Sequence, residues 1–139
     1  MLLRVQAVLE AMFSNLNADR ILDLVELYDY PFVIQTEDQL LVFTSKDEAA
    51  DYCRSFRAEF VEGGHLKTFI HITAQEMPRV GRFRVWTELR HQDSHGDPTG
   101  TSNAIYYFRD YGQRLYLEMM HITKLILRAP LAIEVPTAL

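Results

Sequence analysis

Two strand-like segments carry the residues best suited to acid–base chemistry. Residues 68–77 and 82–91 each alternate in polarity, and Pro78-Arg79-Val80-Gly81 between them is a turn sequence. If that turn is tight, Met77 pairs with Arg82, Thr73 falls opposite Trp86, and His71 falls opposite Glu88. Residues of equal parity share a face of a strand. One face then carries Ile70, Ile72, Ala74, Val85, Thr87 and Leu89, nearly all apolar; the other carries Phe69, His71, Thr73, Trp86, Glu88 and Arg90. A directly opposed His and Glu have Cβ atoms ~5 Å apart, within reach of an ion pair or a shared proton. Enclosed in an apolar cavity, His71 and Glu88 would act as general base and orienter, with Trp86 as the apolar wall. On a solvated or dimer-facing surface the same pair is a cross-strand salt bridge. A one-residue change in the turn would break the pairing.

The last hairpin offers further candidates. With Tyr111-Gly112 as its turn, Ala104, Tyr106 and Phe108 share a face with Leu115, Leu117, Met119 and His121. His121 would then lie deeper in a pocket, or serve as a hydrogen-bonded core histidine. Tyr30 and Tyr106 are candidate phenol donors to a ligand, and equally good packing residues. Asp29 or Tyr30 would sit at the pocket mouth. The loop His91-Gln92-Asp93-Ser94-His95-Gly96-Asp97 crowds imidazoles and carboxylates together, but it lacks the regular helical spacing of a zinc motif. It reads as a solvated loop, and no metal or other cofactor is expected. Arg79, Arg82, Arg84 and Arg90 form a local basic stripe, read as a solvated strand surface.

Composition narrows the partners. A chain of 139 residues can bury a core as one domain without disulfides or metal. A net charge of −5 gives no overall phosphate-binding surface, so nucleic acid is not expected as a partner. The single cysteine, Cys53, cannot form an internal disulfide, which suits a cytoplasmic protein. It lies on the apolar stripe of a helical pattern and reads as core. Arg4, Gln6 and Glu10 interrupt any apolar run at the N-terminus, so neither a signal peptide nor a membrane span is expected there.

The elements that must position these residues follow from periodicity. Leu2, Val5, Leu9, Met12 and Leu16 mark one face of a first helix, and Ile21, Leu24, Val25 and Tyr28 that of a second. Pro31 stops the second helix near Asp29. Residues 32–36 and 40–44 are β-branched and aromatic runs joined by a turn at 37–39. Ser45-Lys46-Asp47-Glu48 is a capping box opening a third helix, which Gly63-Gly64 ends. Four strands follow, over 68–77, 82–91, 101–109 and 114–124. This order argues for an α+β domain: a helix-backed antiparallel sheet able to enclose a pocket. Both faces of the last hairpin are apolar, and three helices cover one face only. The other face is therefore expected to meet a second copy in a homodimer. Pro130 and Pro136 bracket an apolar segment within a C-terminal tail, 126–139, beyond a domain spanning 1–125.

The element order resembles the cone-shaped nuclear transport factor 2-like fold, and within it the SnoaL-like (polyketide-cyclase-like) families. The resemblance covers roughly residues 1–125. It is carried by the leading helices, by Tyr28-Asp29-Tyr30-Pro31-Phe32 entering the first strand, and by the helix from Ser45. Phe69-Ile70-His71-Ile72-Thr73, Phe83-Arg84-Val85-Trp86-Thr87-Glu88 and the closing hairpin carry the rest. It implies three helices of the N-terminal half packed on a curved, mixed or antiparallel sheet. It also implies a cone pocket for a small apolar or aromatic molecule, with cofactor-free chemistry of the isomerase, cyclase or hydratase kind. A non-catalytic ligand carrier or a protein-interaction dimer is the alternative the same fold allows. Asp29 sits near the aspartate base of steroid-isomerase-like members, but their Tyr and Asp partners have no match here. Glu88 and Arg90 share a face without the second acid of limonene-epoxide-hydrolase-like members.

Overall fold

The computed structural model describes residues 2–128. The bracketed segment from Pro130 to Pro136 lies outside the described residues. The elements run α1 (Leu2–Asn17), α2 (Ile21–Val25), β1 (Tyr28–Gln35), β2 (Leu40–Phe43), α3 (Lys46–Glu62), β3 (Lys67–Gln75), β4 (Arg82–Gln92), β5 (Pro98–Asp110) and β6 (Leu115–Lys124). The six strands form one sheet in the order β2-β1-β6-β5-β4-β3. Every pairing is antiparallel except β1 with β6, so the sheet is mixed.

α2 is shorter than the periodicity suggests. It ends at Val25, and Tyr28 already belongs to β1. The Leu27 carbonyl accepts from the Leu117 amide at 3.1 Å, and the Tyr28 ring stacks on Phe32 at 4.0 Å. Pairing with β6 thus outweighs one more helical turn. α3 opens as expected: the Ser45 hydroxyl accepts from the Glu48 amide at 3.3 Å. The Glu48 carboxylate, however, accepts from the Thr44 hydroxyl at 2.8 Å instead of closing the reciprocal box.

The sheet's two faces divide cleanly. On β4, Phe83, Val85, Thr87, Leu89 and His91 are buried, and on β5 Ser102, Ala104, Tyr106 and Phe108 are buried; the residues between them are not. Against the buried face pack Val5, Leu9, Met12 and Phe13 of α1, Leu24 of α2, and Ala49, Ala50 and Cys53 of α3. The core therefore lies between the helices and one face of the sheet.

Register decides which candidate side chains reach that core. The β3–β4 turn is tighter than a four-residue turn beginning at Pro78. Val80 and Gly81 have φ of +51° and +74°, and Arg79 and Arg82 exchange hydrogen bonds of 2.9 and 3.0 Å. This is a two-residue hairpin turn. From it the pairing slips twice: Gln75 meets Val85, and beyond an irregularity at Thr73, Ile72 meets Thr87 and His71 meets Glu88. Together the two slips offset the two-residue shift of the tighter turn, so His71 does fall opposite Glu88. Trp86 faces Ala74, not Thr73. In β6 a bulge at Glu118 is not offset before His121, the second irregularity falling only beyond it at Thr123. Phe108 pairs with Leu117 but Tyr107 with Met119, so Met120 and Ile122 turn inward beside Tyr106 and Ala104.

Candidate functional site

The sites expected from strand parity fall mostly outside the core. His71 is exposed, and Trp86 and Glu88 lie on the sheet face turned away from the helices. Glu88 is held by Arg90 on its own strand at 2.6 Å, which, with a smaller pull from His71, keeps its carboxyl below the usual range. No hydrogen bond joins it to His71 among the described residues. Trp86 lies under the Arg84 guanidinium, 4.9 Å from the ring centre. The reason is simple: Val85, Thr87, Leu89 and His91 take the inward parity, so Trp86 and Glu88 cannot. His121 is likewise displaced, because the Glu118 bulge puts it opposite Ile105 on the outer face. Asp29 accepts from the Tyr111 hydroxyl at the surface. The Tyr30 hydroxyl donates to the Val25 carbonyl at 2.9 Å and ties β1 to the end of α2. Of the seven expected positions, Tyr106 alone lines the cavity beneath the helices.

That cavity, about 80 Å³, lies between the helices and the buried sheet face. α1 contributes Met12, Phe13 and Leu16, and α3 contributes Tyr52, Cys53, Phe56 and Phe60. The sheet contributes Tyr28, Ile34, Leu89, Tyr106, Met120 and Ile122, and Leu125 closes one side. A cavity of ~150 Å³ accommodates benzene. A ring here therefore requires side chains to give way, and Met12 and Met120 are unbranched and re-pack at low cost.

Three polar features meet this apolar wall. Tyr106 is wholly buried, and its hydroxyl has no hydrogen-bond partner among the described residues. Burial pushes its pKa far above the ordinary phenol value, so it stays protonated. The Tyr28 hydroxyl has only the Cys53 sulfur, 4.0 Å away, and burial holds the Cys53 thiol up at about 11. That thiol is un-ionised at neutral pH and no nucleophile.

The third feature is His91. Its Nδ1 meets the Thr68 hydroxyl at 2.8 Å and its Nε2 meets the Ser102 hydroxyl at 2.7 Å. Ser102 also accepts from the Ile126 amide at 3.1 Å, and the Asn17 side chain bonds both the amide and the carbonyl of Thr68 at 2.9 Å. Phe60 stands edge-on to the imidazole, and His65, bonded to Thr99 at 2.6 Å, lies 4.9 Å from it. Burial, then the His65 charge, pulls the His91 pKa down to about 4. His91 is thus neutral at pH 7 with both nitrogens occupied, which suits a positioning role better than proton transfer.

Sequence reasoning missed His91, Thr68, Tyr28 and Cys53 as lining residues. The signal for His91 was present: it shares parity with Val85, Thr87 and Leu89, the face already recognised as apolar. The loop after it is a turn, not a ligand cluster. The Asp93 carboxylate accepts from the His95 and Asp97 amides at 2.8 and 3.0 Å. Among the described residues no group of three potential metal ligands gathers anywhere, and no helix is long and apolar enough to cross a membrane.

Three helices on one face of a six-stranded mixed sheet, with a cavity between them, define an α+β fold of the nuclear transport factor 2-like, or cystatin-like, type. Solved structures bear this out. A protein of unknown function with a cystatin-like fold from Nostoc punctiforme PCC 73102 superposes with a TM-score of 0.70 at 10% identity, over 88% of this chain and 90% of that one. An NTF-2 like protein from Shewanella oneidensis MR-1 gives 0.67 at 13% identity, over 87% and 97%. A ketosteroid isomerase-like protein from Erwinia carotovora atroseptica SCRI1043 gives 0.66 at 15% identity, over 88% and 95%. At these identities the likeness is one of fold. No family model and no curated protein matches the sequence.

Proposed function

We propose that the protein binds a small, largely apolar molecule in the cavity between α1, α3 and the buried sheet face. The observation that carries this is the cavity wall: side chains from every layer converge on it, and nearly all are apolar. Neighbours of the same fold do not single out a ligand, because one fold hosts unrelated functions. Binding without turnover is favoured over acid–base catalysis. The nearest histidine has both nitrogens bonded, and the nearest thiol and phenols are held protonated.

The test is titration with methylenecyclopentane, a compact apolar probe, followed through the methyl NMR signals of Met12, Met120, Leu24 and Ile122. Saturable shifts confined to that set are expected. Ile122→Phe, which places a ring in the same space, should weaken binding at least about tenfold. Shifts that never saturate, or that scatter over the surface, would sink the proposal.

A further inference from the structure

We infer that the cavity's ligand is a neutral molecule presenting one carbonyl oxygen, of the ketone, aldehyde or ester class, to the Tyr106 hydroxyl. This rests on the cavity being the binding site. Buried hydroxyls in folded proteins are almost always hydrogen-bonded, because an unmade bond forfeits the solvation that burial removed. The Tyr106 hydroxyl has no partner among the described residues, although the side chain lies in the middle of β5 between Val85 and Met120. A ligand acceptor placed in the cavity would complete that bond.

The class of acceptor follows from the other groups. Tyr28 lines the same cavity as Tyr106, and its own hydroxyl holds only a 4.0 Å contact with sulfur. That distance is at the limit for such a contact, so Tyr28 is available as a second donor. Two phenols donating to one site match the two lone pairs of a carbonyl oxygen. An alcohol would bring an O–H of its own, which needs an acceptor. The other fully buried hydrogen-bonding side chains at the wall, Thr68 and His91, are already engaged with each other and His91 with Ser102. Charge is disfavoured as well. No Asp, Glu, Lys or Arg lines the cavity among the described residues, so an ionic ligand would be buried without a counter-charge.

The experiment compares cyclopentanone with methylenecyclopentane, which share a shape and differ in the acceptor. Both are titrated against the wild-type chain and against Tyr106→Phe. The wild type's preference for the ketone should fall about tenfold in Tyr106→Phe, the size of one hydrogen bond to a buried donor, while the hydrocarbon's affinity stays within about twofold. In the wild-type complex the bound ketone's carbonyl stretch should move to lower frequency than in hexane. This second readout needs no variant. If the hydrocarbon binds but the ketone shows neither the Tyr106-dependent preference nor the infrared shift, the carbonyl assignment is wrong and the cavity reading stands. If neither probe binds, both are wrong.

Discussion

Tyr106 and His91 show how one wall can hold an unsatisfied polar group beside a satisfied one. The Tyr106 hydroxyl is a cost to the unliganded fold. Tyr106→Phe keeps the ring and removes that cost, so it should raise stability by about 1 kcal/mol in urea unfolding without ligand. A loss of that size would instead mean that the hydroxyl has a partner. His91 has its partners but lies out of water, and its folded pKa is about 4 against 6.5 unfolded. Between those values the unfolded chain binds more protons than the folded one, so stability rises with pH through this window and is lost as pH falls. His65, also lowered by burial, acts in the same direction. After allowing for solvent screening, the loss from pH 6.5 to 4.5 should be roughly 1–2 kcal/mol. In His91→Gln, which can still donate once and accept once, most of that slope should vanish. Glu76, Glu88 and Asp110 are held low by their arginine partners. Their contribution is present above the usual carboxylate range and is lost only as pH falls below it. A slope unchanged in the variant would place the acid sensitivity elsewhere.

At the scale of elements, what the sequence disclosed was the order and the capping, and what it concealed was the register. Helices and strands announce themselves through periodicities of 3.6 and 2, so α1, α3 and all six strands were legible, and Ser45 and Gly63 marked the ends of α3. Register depends on where a single residue is inserted, and a bulge leaves almost no local trace. His71 and Glu88 met only because two slips made up for a turn tighter than expected, and His121 moved to the outer face because the slip before it had nothing to offset. The chain leaving β6 shows the same limit. Gly63 sits at an ordinary helical φ of −73°, so its type is not demanded by the backbone. A Cβ there would lie 2.1 Å from the Leu127 carbonyl oxygen. The glycine is needed for close approach of the segment Leu125-Ile126-Leu127, which closes the cavity at Leu125 and is tied to Ser102 at Ile126. Gly63→Ala should therefore cost about 1–3 kcal/mol, with the Ile126 amide losing hydrogen-exchange protection ahead of the β5 amides. Protection lost evenly across the sheet would assign the cost to α3 instead.

For the whole molecule, the question is what covers the sheet face that the helices leave open. Trp86, Ile105, Tyr107, Met119 and Val33 are half-buried there in the single chain, and Phe69 is exposed. The same face carries both charges in pairs: Arg82 and Arg109 with Glu118, Arg84 with Glu76, and Arg90 with Glu88. Aromatic and aliphatic patches bordered by charges of both signs suit a two-fold interface, in which one patch must complement itself. We therefore expect a homodimer through this face, with His71 and Glu88 beside the contact and outside the cavity. Light scattering at tens of micromolar should give twice the chain mass, and Ile105→Glu combined with Tyr107→Glu should give a folded monomer. Such a monomer should still bind methylenecyclopentane, since the cavity opens on the opposite side of the sheet. A wild-type monomer would leave the apolar face without this occupant. A dimer indifferent to both substitutions would move the interface off the sheet.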